Sequence, residues 1–313
     1  MDAADPWLPR ALGHVEERLV ASAAGHGTGV GDDATATLRA GGKRLRPLLV
    51  LLCAGPQAGQ RTIASAAAVE LIHMATLVHD DVLDSAPVRR GEPTVLARSG
   101  RDRALAVGDF LLSRAFAELV AVGDGEAVAT LASASTSLAR GELAQREGAF
   151  DLELTEADYF ERCSLKTARL FEAACRVGRN STSGEGADAL AEFGSRIGLA
   201  FQLLDDVLDV LGPPERTGKA IGTDLLDGTV TLPLIWARET DPGIAAAGLE
   251  GLDEAAAAAV CAEIAASGAT DRVRERASEE IVAAKAVLND ADLDPEEIRL
   301  FSLIADGVVE RYS

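Results

Sequence analysis

Aromatic residues make up only 4% of this 313-residue chain, and only 30 basic residues stand against 50 acidic ones. The 48% of hydrophobic residues must therefore build a core from aliphatic and small side chains, alanine above all, which suits packed helices better than sandwiched strands. That composition argues against an all-β fold. A net charge of -20 repels a phosphate backbone, so no nucleic acid is expected as partner. The four cysteines, Cys53, Cys163, Cys175 and Cys261, form no CxxC pair and have no neighbouring histidine cluster, which suggests neither a zinc site nor a disulfide framework. A reducing, cytoplasmic setting fits that usage best. The opening MDAADPWLPR is acidic and is followed by no apolar run, and no stretch reaches ~18 uninterrupted apolar residues, so neither a signal peptide nor stable membrane insertion is expected. The scarcest basic residue is lysine. Only Lys43, Lys166, Lys219 and Lys285 occur, so each position can be questioned individually.

What is present is helical periodicity. Apolar residues recur at three- and four-residue spacing over 8–22, 46–54, 61–84, 101–122, 125–147, 155–178, 186–211, 229–239, 253–267, 270–289 and 295–311, which predicts a helix for each. Short breakers separate them: GHGTGVGDD (25–33), CAGPQAG (53–59), SAPVRRGEPT (85–94), GRNSTSGEGAD (178–188) and GPPERTGKAIGTDLLDG (212–228). No interdomain linker and no convincing set of alternating strands stands out. The expectation is one all-α domain over 1–313, with a looser C-terminal third where AAAAAV (255–260) signals helix and little else.

One five-residue word occurs twice. DDVLD stands at Asp80 to Asp84 and again, letter for letter, at Asp205 to Asp209. In so acidic a chain a lone DDxxD has a high false-positive risk, but two identical copies inside apolar sequence do not fit a merely solvated acidic face. Helical geometry puts Asp80 and Asp84 one turn apart on one face with Asp81 to the side and His73 two turns earlier, and puts Gln202, Asp206 and Asp209 on one face with Asp205 flanking. Paired carboxylates on helices suit Mg²⁺, which keeps several waters and commonly bridges carboxylate to substrate phosphate. Basic residues in loops answer the demand for phosphate: Lys43 and Arg46 in GGKRLRP, Arg89 and Arg90 one loop after the first cluster, Lys166 in SLKTARLF and Lys219 in TGKAIGTD. A lysine retained in an arginine-using chain marks a place for a compact charge on a flexible stem. RTGKAIGT is no P-loop, because five residues separate Gly212 from Gly218 and Ala220 follows Lys219. His79 is expected to be structural, since no second histidine lies at metal-ligand spacing.

Together GGKRLRP, LIHMATLVHDDVLDSAPVRRGEPT, SLKTARLF and GLAFQLLDDVLDVLGPPERTGKAIGTDLLDGTVTLP resemble a trans-polyprenyl diphosphate synthase, over about Gly41 to Pro233. The resemblance implies the isoprenoid synthase fold, a single large helical bundle around a central cavity, and in most relatives a homodimer. It implies three Mg²⁺ held by Asp80, Asp84 and Asp205, with Asp81, Asp206 and Asp209 orienting waters or flanking the ligands. Arg89, Lys166 and Lys219 match positions that hold the diphosphate of an allylic prenyl diphosphate; Lys43, Arg46, His73 and Arg90 match those that bind isopentenyl diphosphate. Thr167 and Gln202, with a carbonyl near Lys166, match groups whose dipoles face an allylic cation.

The resemblance has one gap and one size cue. Where many relatives read DLxxGKxTLP this chain reads DLLDGTVTLP, so Thr229 stands where a third lysine for the allylic diphosphate is common, and a lysine there is expected to tighten that substrate. Ala75 and Thr76, ~6 to 7.5 Å before Asp80 along the helix, are small where short-chain relatives place an aromatic floor, which implies a product longer than farnesyl, geranylgeranyl being the nearest alternative. A terpene cyclase is disfavoured by the few aromatics and the second DDVLD. A non-catalytic subunit of a heteromeric synthase is disfavoured by the intact aspartates.

Overall fold

The computed structural model describes residues 7–24, 29–212, 221–291 and 293–310. They are overwhelmingly helical, as the sequence predicts, and group into two compact units. Unit 1 comprises Met1–Ser135, Leu170–Ala191 and Ala291–Glu297; unit 2 comprises Thr136–Arg169, Glu192–Asp290 and Ile298–Ser313.

Unit 1 is built on α1 (Trp7–Ala24), α2 (Val30–Arg39), α3 (Leu45–Ala54), α4 (Gln60–Leu83), α5 (Val95–Ser99), α6 (Arg101–Ala121) and the first half of α7 (Gly125–Glu147). Its axis is α4, whose Ala64, Ala66, Ala67 and Ala68 are completely buried. Helix α6 packs along α4, and its own buried Ala104, Gly108 and Ala115 are small as well. At Gly108 the approach is so tight that a Cβ would lie 2.2 Å from Nε2 of His79. That contact explains His79 as a packing residue, as expected. By length and composition α4 could cross a membrane, yet 78% of its most apolar window is buried inside the protein. The stretch α9 (Arg169–Asn180) packs on α3 through Gly178, where a Cβ would stand 2.4 Å from the Val50 carbonyl oxygen.

Unit 2 carries α8 (Glu156–Cys163), the C-terminal part of α10 (Ala187–Leu211), α11 (Thr223–Leu226), α12 (Leu232–Thr240), α13 (Glu254–Ala266), α14 (Ala269–Val287) and most of α15 (Pro295–Glu310). Thr155 starts α8 through a reciprocal capping box with Asp158, and Asp253 caps α13 by accepting from Ala256 N at 2.8 Å. The C-terminal helices are not loose: Cys261, Ile264, Val273, Ala277, Ile281 and Leu288 are buried, and Phe193 meets Phe301 edge to face at 5.2 Å. The alanine run hid this because alanine signals helix without showing which face packs.

Three features were not legible as sequence. Helix α2 lies partly in a stretch that reads as a breaker, because Gly25, Gly27 and Gly29 precede it and Gly31 lies in its first turn. SAPVRRGEPT contains a two-stranded ribbon, β1 (Val88–Arg89) against β2 (Glu92–Pro93). Its turn puts Arg90 and Gly91 at φ 55 and 80, the paired positive angles of a tight hairpin. Finally, Ser164–Ala168, between α8 and α9, is a π-helical bulge rather than continuous α-helix.

Candidate active site

Unit 1 holds Lys43, Arg46, His73 and Arg90, expected to bind isopentenyl diphosphate, together with Arg89. Arg44 adopts a left-handed conformation, φ 48, at the start of α3, and is held by Glu16 at 2.6 Å, by buried Glu70 at 2.8 Å and by the Leu38 carbonyl at 3.0 Å. It is the structural member of the basic loop that also carries Lys43 and Arg46. Lys43 is exposed, whereas Arg46 lays its guanidinium over the Phe171 ring, 4.4 Å from the centroid. The Nε of Arg46 is buried and has no hydrogen-bond partner among the described residues, and burial lowers its pKa to about 10. Arg90 docks across the loop by donating to the Gly41 carbonyl oxygen. Gly42 leaves room for it, since a Cβ there would come within 2.8 Å of the Arg90 Nη1. His73 lies among these cations. Burial, and then Arg46, Arg90, Arg89 and Arg44, push its pKa well below the usual histidine value, so it is neutral near pH 7 and can donate one N–H.

The first aspartate motif ends α4. Asp81 is buried and accepts from Arg89 Nε at 2.6 Å, which ties the ribbon to the helix. Asp80 is half-buried and Asp84 exposed. Of the size residues, Ala75 is fully buried, while Thr76 is half-buried, bonded to the His73 carbonyl at 2.8 Å, and one turn from Asp80.

Unit 2 repeats the pattern with different anchors. Asp206 is buried and accepts from Tyr159 Oη at 2.6 Å and from Gln202 Nε2 at 2.7 Å. The Gln202 amide oxygen accepts in turn from the Thr167 hydroxyl at 2.7 Å, so the bulge is wired to the second motif. Burial, and then repulsion from Asp224, raise the Asp206 pKa to about 7, against the lowering effect of Tyr159, Gln202 and Arg162. Asp205, read from the sequence as flanking, is the exposed member, and Asp206 is the one turned inward. Asp209 is half-buried and accepts from Asp224 N at 3.1 Å. Lys166, on the bulge, is held by Glu142 at 2.6 Å and Gln145 at 3.0 Å. Thr229 is buried and accepts from Gln145 Nε2 at 3.4 Å. Lys219 lies outside the described residues.

Each motif thus bonds its buried second aspartate to the protein, while its first and fifth are more accessible: Asp84 and Asp205 exposed, Asp80 and Asp209 half-buried. Among the described residues no three His, Cys, Asp or Glu side chains form a ready cage for a metal. Pairs of accessible carboxylates without a full cage fit Mg²⁺, which takes one or two carboxylates and completes its shell with water and substrate phosphate. Sequence reasoning missed Tyr159, Glu142 and Gln145. Tyr159 is one of only two tyrosines, but 47 residues separate it from Asp206 and no spacing rule joins them.

The chain is similar to known proteins along most of its length. The chain is 38% identical over 273 residues to heptaprenyl diphosphate synthase component 2 of Geobacillus stearothermophilus, covering 85% of each chain. A heptaprenyl diphosphate synthase from Staphylococcus aureus has the same fold with a TM-score of 0.90 at 29% identity, over 98% of this chain and 99% of that one. A polyprenyl synthase from Caulobacter crescentus, solved with calcium and isoprenyl diphosphate, superposes with a TM-score of 0.89 at 34% identity, over 99% and 98% of the two chains. Residues 31–263 match the family described as polyprenyl synthetase, a span that takes in both aspartate motifs, the basic loop and the bulge. This chain belongs to the polyprenyl synthetase family.

Proposed function

We propose that the chain acts as one polyprenyl synthase domain that joins isopentenyl diphosphate to an allylic prenyl diphosphate and releases a trans-polyprenyl diphosphate longer than farnesyl. The observation that carries this reading is the duplicated motif architecture, a buried aspartate bonded to the protein beside a more accessible pair, once in each unit. Asp80, Asp84, Asp205 and Asp209 would hold Mg²⁺, three ions per site by family resemblance. Bound Mg²⁺ would neutralise the allylic diphosphate and make it a better leaving group.

The protein's own side chains do the remaining work. Arg89, Lys166 and Lys219 grip the allylic diphosphate. Lys43, Arg46 and Arg90 bind isopentenyl diphosphate, to which neutral His73 donates an N–H. Arg46 suits that role because it is a half-buried cation stacked on a ring, with its Nε unbonded among the described residues. Once the allylic C–O bond breaks, the Thr167 oxygen, its proton turned toward Gln202, directs lone pairs at the cation and lowers its energy. The isopentenyl double bond attacks, a C–C bond forms, and the departing diphosphate takes the proton, so no protein base is required. A cytoplasmic homodimer without membrane insertion completes the reading. Elongation assays on the purified chain, with product lengths read by mass, test it, and inactivity with every allylic primer would favour a subunit role instead.

A further inference from the structure

A lysine that grips a diphosphate is a flexible point charge unless something fixes it, and in unit 2 something does. Gly141 and its neighbour Glu142 lie one turn before Gln145 on α7, and all three face the bulge. At Gly141 the helix touches the bulge backbone: a Cβ would stand 2.6 Å from Lys166 N, 2.9 Å from Lys166 Cα and 3.0 Å from the Leu165 carbonyl carbon. One residue on, Glu142 Oε2 lies 2.6 Å from Lys166 Nζ, and one turn on, Gln145 Oε1 accepts from the same nitrogen at 3.0 Å. The other end of the Gln145 amide donates to the Thr229 hydroxyl at 3.4 Å. A hydroxyl can accept there, so the amide keeps its oxygen, not its NH₂, toward the ammonium.

We propose that Gln145 and Thr229 are positioning residues that set the Lys166 ammonium for the allylic diphosphate, with Glu142 holding its charge in place until substrate arrives. An ammonium has three donors. One is taken by Gln145 while the charge is paired with Glu142, which leaves donors for a diphosphate oxygen. Burial raises the Glu142 pKa, but Lys166 and Arg146 outweigh it and keep the carboxylate ionised. Arg146 also binds Glu142 Oε1 at 3.0 Å, so the carboxylate retains a partner when Lys166 turns to substrate. Thr229 thereby has a function of its own. A lysine at 229 would add a charge and remove the hydroxyl together, so Thr229→Val, which keeps the shape and deletes only the hydroxyl, isolates the effect.

This inference rests on the allylic-diphosphate reading of Lys166, and its test separates the two. The purified chain and its Thr229→Val, Gln145→Met and Thr229→Ser variants are treated with limiting acetylating reagent, and the four lysines are quantified by peptide mass spectrometry. Loss of one hydrogen bond predicts about a three- to tenfold rise in Lys166 labelling in the first two variants. Lys43 and Lys285 should stay constant and Thr229→Ser should restore the wild-type value. In elongation assays the same two variants should raise KM for the allylic diphosphate by a similar factor and leave KM for isopentenyl diphosphate unchanged. Unchanged Lys166 labelling in both variants overturns the proposal. So does increased labelling with an unchanged allylic KM, which would make the contacts merely structural. A wild-type chain that elongates no primer would refute the functional reading, while the labelling still reports whether Gln145 and Thr229 restrain Lys166.

Discussion

Tyr159 and Asp206 lie 47 residues apart in sequence, and the phenol donates to the carboxylate at 2.6 Å with both residues buried. The bond holds the second aspartate motif to α8. Removing the donor leaves a buried carboxylate with one fewer partner, a change that costs about 1–3 kcal/mol. Tyr159→Phe should therefore lower stability in urea unfolding by that amount, and Tyr159→Leu by more, because the ring packing is lost as well.

The inward and outward aspartates should separate in mutational phenotype. Asp84 is exposed, so Asp84→Asn should change stability by no more than about 0.5 kcal/mol. Its loss should reduce kcat at least about a hundredfold if it holds an ion that activates the leaving group. Asp81→Asn breaks the pair with Arg89, whose side chain is 26% exposed, and should cost about 1–2 kcal/mol. Paired denaturation and kinetic measurements on the two variants check the division.

His73 gives the protein a defined pH response. Its pKa is depressed in the folded state, so above the ordinary value of about 6.5 both folded and unfolded chains hold it neutral and it contributes nothing. As pH falls below about 6.5 the unfolded chain takes up a proton that the folded one refuses, and stability drops by about 1–2 kcal/mol by pH 5. His73→Gln should remove that part of the slope. Unfolding free energies of both proteins at pH 7 and pH 5 measure it directly.

Much of this was visible in the sequence, and what was hidden shares a physical cause. The helices, the duplicated motif and the basic loop follow from local periodicity and spacing, and the observed helix ends fall close to the predicted ones. The bulge at Ser164–Ala168 was not visible, because an extra residue per turn leaves the apolar pattern of SLKTARLF almost unchanged. Nor could periodicity say which aspartate of each pair turns inward. That depends on Arg89 and Tyr159, partners brought in by tertiary packing. Thr229 read as a missing charge until its contact with Gln145 gave it a place.

Product length offers a test that distinguishes Ala75 from Thr76. Thr76 is half-buried and one turn from Asp80, so Thr76→Phe can put a ring below the first motif and should shorten the product by one or more isoprene units. Ala75 is fully buried, and Ala75→Phe should also cost about 1–3 kcal/mol through overpacking. Mass analysis of products from both variants, beside their melting curves, resolves the two effects.

Incubating the purified chain with Mg²⁺, isopentenyl diphosphate and each of several allylic primers, and weighing the lipid products, decides whether the chain elongates. The proposed reaction yields a trans-polyprenyl diphosphate longer than farnesyl, its formation abolished by a chelator and restored by added Mg²⁺. Absence of elongation with every primer, from a folded chain, would contradict it.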